Sequence, residues 1–229
     1  MDINSLIEID RQILTYVNGS DSLFLDKLML TLTQGFTWIP LYISLFFLVM
    51  KNNETMAQIL LVVGGAALCF ILSDGMADGI VKPLVGRWRP SNDPIIKYSI
   101  DIVGQHRGTN YGFFSAHAAN TFSLAIFFSL IVKDKLFTLF MVLWSFINCY
   151  TRMYLGLHYP GDIIVGLIWG TVVGICVYLL YHYIYRRISS TGEFISTHLT
   201  PSGYAMESVD VVILIMIITF IYAVFMAIL

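Results

Sequence analysis

Charge is the scarcest commodity in this chain. Asp, Glu, Lys and Arg make up 12% of its 229 residues, against about 25% in an ordinary soluble domain. Hydrophobic residues make up 57%. That balance excludes a water-soluble globule and places the chain in a bilayer. A positive excess is also missing: the formal net charge is −2, which excludes the basic patch that a nucleic-acid partner requires. Cysteine is nearly absent. Cys69, Cys149 and Cys176 sit inside apolar runs with no C-x-x-C spacing, so no disulfide framework is expected and they read as small apolar fillers. No basic stretch opens the chain, so no cleavable signal peptide is expected. Repeats and low-complexity tracts are lacking too, and a single membrane domain is expected over residues 1–229.

What is there is helical. A spanning helix takes about 20 mostly apolar residues. Candidate spans are 30–50 (interrupted by Gln34-Gly35), 56–79, 115–132, 136–155, 160–185 and 209–229. The expected fold is therefore all-α, a polytopic bundle of about six transmembrane helices. Ahead of them, Ile3, Leu6, Ile7, Ile13, Leu14 and Val17 recur near helical spacing, with Asp2, Glu8, Asp10, Arg11 and Gln12 on the other face. This is a short amphipathic helix, lying in the interface or packed on the bundle. The joints 51–54 and 133–135 are short, 80–114 is long and polar, and 186–208 is a polar linker. Long joints of this kind tend to carry function. Lys and Arg counts on the two sides do not orient the bundle by the positive-inside rule.

Three polar clusters fall at span ends on the same side: "KPLVGRWRP" (82–90), "FSAH" (114–117) and "TRMYLGLHYPGD" (151–162). Lys82, Arg89 and Arg152 bring three cations together, which calls for an anion, and the guanidinium fork matches phosphate oxygens. The helix start at Ser115, Ala116 and His117 adds backbone N–H groups, a hydroxyl and a positive dipole end. His158 and Asp162 stand four apart across a helix start marked by Pro160. That spacing lets the carboxylate hold one ring N–H and free the other nitrogen to attack. His117 supplies a second imidazole as a general acid. Singly, a histidine at a span mouth is a packing residue and a terminal Arg or Lys a snorkelling anchor; six such groups at matched ends are not. His117, His158 and Asp162 could instead ligate a metal, but the neighbouring cations oppose a divalent ion.

These residues resemble the type 2 phosphatidic acid phosphatase family, related to acid phosphatases and vanadium haloperoxidases. Its first motif, Lys, six residues, Arg-Pro, is matched by Lys82 to Arg89-Pro90. Its third, Ser-Arg, five residues, His, three residues, Asp, is matched by Arg152, His158 and Asp162, with Thr151 for Ser. The resemblance covers about residues 30–185 as a catalytic core. It implies a metal-independent, cofactor-free lipid phosphatase of the bacterial inner membrane with its site facing the periplasm. His158 would form a phosphohistidine, Asp162 would support it, and His117 would be the acid. Lys82, Arg89, Ser115, Ala116 and Arg152 would bind the phosphoryl oxygens. Among lipid phosphates, lipid A or undecaprenyl diphosphate is favoured over phosphatidylglycerol phosphate or phosphatidic acid; a lipid-to-lipid phosphotransferase is the alternative reaction.

Two departures stand out. The middle motif, Pro-Ser-Gly-His, reads Phe114-Ser115-Ala116-His117, and Ala resists the positive φ that Gly accepts. The family's usual first span is not evident, while 209–229 adds one. "PSG" at 201–203 is a decoy, followed by Tyr204 and read as a turn. In the 91–113 loop, Lys97, Gln105, His106, Arg107, Thr109, Asn110 and Tyr111 are expected to read a head group, and their polarity suits a sugar.

Overall fold

The computed structural model describes residues 3–105, 107–108, 111–189 and 198–229. Every regular element among them is helical: α1 (Ile3–Val17), α2 (Leu23–Thr33), α3 (Ile39–Asn52), α4 (Met56–Asp74), α5 (Lys82–Val85), α6 (Ala116–Val132), α7 (Lys135–Tyr154), α8 (Pro160–Ile188) and α9 (Met206–Ile228). The helix starts are set by local chemistry. Thr55 and Gln58 form a reciprocal capping box at α4, and Asp134 caps α7 by accepting the Phe137 N–H at 2.7 Å. Each satisfies backbone donors that a helix start leaves open.

The expected polytopic bundle is present. Gly35–Asn52, Met56–Val85, Lys135–Tyr154, Pro160–Ile188 and Met206–Ile228 are long and apolar enough to cross a membrane, with Ala116–Val132 a shorter apolar helix. Two boundaries differ from expectation. Residues 30–33 end the separate helix α2; the chain turns at Gln34 and restarts through a 3₁₀ turn, Gly35–Trp38. The second span does not stop at 79 but passes through a π-helical segment, Gly75–Val81, into α5. Such wide turns favour functional sites, and this one leads directly into Lys82. The outward faces are apolar: Leu60, Ile71 and Ile221 are each at least 60% exposed, as lipid contact requires.

The two ends of the bundle are chemically distinct. At one, Asn53 meets Tyr204, Ser202 donates to the Val132 carbonyl and Gln58 to Ser189. Here Pro201-Ser202-Gly203 is a turn, with Gly203 at φ +88°. The other end gathers α1, the 86–114 connection and the α7–α8 joint. The amphipathic α1 is packed on this end: Leu14 is fully buried, and Asn18 donates to the Tyr154 carbonyl at 2.8 Å. Its Leu6, Ile13 and Tyr16 remain exposed.

Helix α6 lies against α4, α7 and α8. The closest approach is to α8, along Gly166, Gly170 and Gly174. A Cβ at Gly166 would stand 2.7 Å from the Ser115 carbonyl oxygen, and one at Gly170 2.7 Å from that of Ala119. Between helices in lipid, small residues at four-residue spacing permit backbone contact and hence association. This seam fixes Ser115, at the top of α6, against the top of α8. Gly170→Ala should therefore lower the unfolding temperature in detergent, reflecting the ~1–3 kcal/mol typical of overpacking. Gly64→Ala, where a Cβ meets nothing within 4 Å, should not.

Candidate active site

Three segments meet at the α1 end of the bundle. The first follows α5, where Gly86 takes a left-handed turn at φ +64° and sends Arg87, Trp88 and Arg89 across the helix ends. The second, 111–115, pairs with it: Gly112 N–H donates to the Arg87 carbonyl at 2.8 Å, and Ser115 N–H to that of Asp162 at 3.1 Å. The third is the α7–α8 joint. Gly156, at φ +64°, lets the chain fold back so that Leu157 and His158 N–H both point at the Arg152 carbonyl, at 3.0 and 3.3 Å. His158 is thereby held directly above the end of α7.

The tautomer of His158 follows from its partners. Arg89 Nη1 lies 3.0 Å from Nε2, and a guanidinium carries only donors. Nε2 therefore holds the lone pair and Nδ1 the hydrogen. Nδ1 faces Asp162 Oδ2 at 3.4 Å, longer than a settled hydrogen bond. Asp162 is fully buried. Its Oδ2 accepts the Tyr159 N–H at 3.0 Å, and its Oδ1 is bound by Arg87 Nη1 at 2.8 Å. Burial, then the charges of Arg89, Arg152 and Lys82, hold the His158 imidazole well below its ordinary pKa, so the ring is neutral.

The cations take different stances. Arg89 is buried, also donates to the Leu157 carbonyl at 3.1 Å, and has its pKa lowered by that burial. Arg152 donates from Nη1 to Thr33 Oγ1 at 2.9 Å, while its buried Nε has no partner among the described residues. Lys82 is ion-paired to Asp78 within the π-helical segment. Ser115 caps α6, its hydroxyl accepting the Ala118 N–H. Because the Ser115 N–H is taken by Asp162, it is not free for a ligand as the sequence suggested; the Ala116 and His117 N–H groups have no acceptor among the described residues. Ala116 opens α6, and the only positive φ at a non-glycine described residue is at Lys133. The turn is thus built without the conformation that glycine serves. His117 is exposed in the first turn of α6.

All eight sequence-predicted site residues thus lie at one end of the bundle. Sequence reasoning missed Arg87 and Asp10 as partners of the site; the available signal was an arginine between Lys82 and Arg89 in a chain so poor in charge. Of the 91–113 loop, His106, Thr109 and Asn110 lie outside the described residues, as does the side chain of Gln105. Gly108 presses on Arg89, where a Cβ would come within 2.6 Å of its side chain. Arg107 donates to the Ser91 carbonyl, and Lys97 lies 4.9 Å from the Tyr98 ring centre. No group of three His, Cys, Asp or Glu among the described residues is placed to hold a metal ion.

A buried ring with its lone pair turned towards the Arg89 guanidinium, beside a helix start whose Ala116 and His117 N–H groups have no acceptor among the described residues, suits an anion such as a phosphoryl group. Comparison with known proteins agrees. The PAP2 superfamily profile matches residues 59–186. The chain is 39% identical over 213 residues to a lipid A 4'-phosphatase of Bacteroides thetaiotaomicron, covering 92% of each chain. It is 32% identical over 207 residues to a lipid A 4'-phosphatase of Porphyromonas gingivalis, covering 89% of this chain and 85% of that one. No solved structure matches. The chain belongs to the PAP2 superfamily and is a membrane lipid phosphatase.

The depressed basicity of His158 can be measured directly. In the empty protein its ring should stay neutral at about pH 6, below the ordinary histidine value near 6.5. Histidine-labelled ¹⁵N NMR in micelles should report an Nδ1–H tautomer; an imidazolium at that pH would contradict the electrostatics.

Proposed function

We propose that the protein removes the 4'-phosphate of lipid A at the periplasmic face of the inner membrane, through a phosphohistidine at His158. The observation that carries the mechanism is the Nε2 lone pair, aimed at Arg89 with a carboxylate behind the ring. An arriving phosphate monoester, carrying about −1.5 to −2 charge, competes for Arg89, Arg152 and Lys82. Once its oxygens take these donors and the Ala116 and His117 N–H groups, Nε2 is released towards phosphorus. The P–N bond forms as the ester P–O bond breaks, and His117 gives a proton to the departing sugar oxygen. The Nδ1 proton remains shared with Asp162, which stabilises the charge arriving on the ring. Water then attacks phosphorus, His117 takes its proton, and inorganic phosphate leaves with His158 restored. General acid–base help of this kind is worth about 10²- to 10⁴-fold, and the converging cations act where charge grows in the transition state.

The choice of lipid rests on the two relatives, both named for lipid A and both aligned over most of the chain. The surroundings of Lys82 suit a lipid: Ile80, Leu84 and Val85 are each at least half exposed, so acyl chains can lie against them while the head group reaches the cations. The periplasmic orientation rests on the family resemblance, since the Lys and Arg counts at the two ends do not decide it.

His158→Ala should abolish phosphate release from lipid A while leaving a folded protein, and acid-labile ³²P should be trapped on the wild type only. Equal turnover of undecaprenyl diphosphate, or label passed to a second lipid instead of water, would overturn the substrate or the reaction assigned. The pH profile should be bell-shaped, since His158 must be neutral and His117 protonated once the bound phosphate offsets the neighbouring cations. A flat profile between about pH 5 and 8 would contradict that division of labour.

A further inference from the structure

Arg87 has no part in the steps above, yet it grips the one group that orients the nucleophile. Its Nη1 binds Asp162 Oδ1 at 2.8 Å, and its Nη2 binds the carboxylate of Asp10, on α1. The other oxygen of Asp10 accepts the Gly161 N–H at 2.7 Å, so α1 is tied to the same helix start. The guanidinium carbon stands 4.1 Å from the centre of the Tyr159 ring. Tyr159 is fixed in turn: its hydroxyl donates to Asp93 Oδ2 at 2.7 Å, and Arg11 lies 3.5 Å from that same oxygen. Neighbouring residues Asp10 and Arg11 thus clamp both flanks of the segment that carries His158 and Asp162.

We propose that Arg87, anchored by Asp10, is a positioning residue that fixes the Asp162 carboxylate behind His158. The inference rests on the proposed role of His158. Asp162 has no exposure, so an oxygen left unpaired there would seek another donor and turn the carboxylate away from Nδ1. Its Oδ2 accepts the Tyr159 N–H and lies 3.4 Å from the ring Nδ1, so a firm hold on Oδ1 limits how far the carboxylate can turn away from the ring. The fork is what makes Arg the suitable residue. Two terminal nitrogens in a rigid plane can bridge two carboxylates at a set separation, which a single ammonium cannot. Burial alone would lower the basicity of Arg87, but Asp162 and Asp10 more than offset it, so the bridge keeps its charge. An ordinary surface ion pair would be worth little and could be lost without consequence; this one ends on a fully buried acid. The anchor also lies outside the profile match, which begins at residue 59, so α1 is part of the support of the site.

The test compares wild type, R87A, R87K, D10N and the R87A/D10N double variant as full chains in mixed micelles. Initial rates are read on lipid A bisphosphate and on p-nitrophenyl phosphate, with unfolding temperature alongside. R87A should lower kcat by about 10- to 100-fold, the loss usual when the outer partner of a working group is removed, with KM little changed. R87K should recover only part of it. D10N should lower kcat less, and should cost nothing further in the R87A background, because the two residues act as one unit. A wild-type kcat in R87A overturns the proposal. So does a loss of rate that merely follows the folded fraction, or single losses that multiply in the double variant. H158A separates the two levels: if it still turns over, the reaction assigned above fails; if it is dead while the Arg87 variants are normal, only the positioning role fails.

Discussion

A carboxylate with no contact with water governs the catalytic end of this protein. Asp162 sits in the first turn of α8 with zero exposure, and a buried charge is tolerated only when it is paired and hydrogen-bonded. Its partners come from two parts of the chain: the backbone of Tyr159 and the ring of neighbouring His158 from the α7–α8 joint, and the guanidinium of Arg87 from the end of the second span. Satisfying this one group brings the end of the second span, the α7–α8 joint and the N-terminal helix to one place. The functional end is dense in crossed contacts for that reason, while the joints of the far end are tied by hydrogen bonds such as those of Asn53, Ser202 and Gln58.

The membrane supplies a second constraint. With lipid on all sides, helices do not associate merely to escape water, so α6 and α8 must meet through shape. The glycines of α8 allow this, and their effect reaches the chemistry. Because Gly166 rests on the Ser115 carbonyl and Ser115 N–H meets the Asp162 carbonyl, the anion-facing start of α6 and the acid of α8 are placed by the same seam. Strong electrostatics at the top thus depends on close, uncharged packing beneath.

Much of this was legible in the sequence, and the rest was hidden for identifiable reasons. The spans showed as long apolar runs. His158 and Asp162 were readable because their relation is local, and Lys82 and Arg89 because they bracket one short segment. Arg87 and Asp10 were not, since 77 residues separate them and no spacing rule connects such positions. Their charges looked like ordinary helix-end anchors. The break between α2 and α3 was visible as Gln34-Gly35, but not that the residues before it would form an independent helix. The π-helical segment left no mark at all, because its apolar and acidic residues suit a regular helix equally well. The question posed by Ala116 had a backbone answer: the helix starts there in an ordinary conformation.

The glycine seam also decides which wall of the site can yield. Helices α6 and α8 are in backbone contact, so neither can shift when a head group arrives without breaking that fit. The opposite wall is built differently. Its Lys82 rides on a π-helical segment where a Cβ at Gly75 or Gly79 would meet nothing within 4 Å, and its lysine is held by an exposed aspartate. The site is therefore a vice with one fixed jaw. The proposed nucleophile belongs to the closely packed side, and the lysine to the loosely packed one.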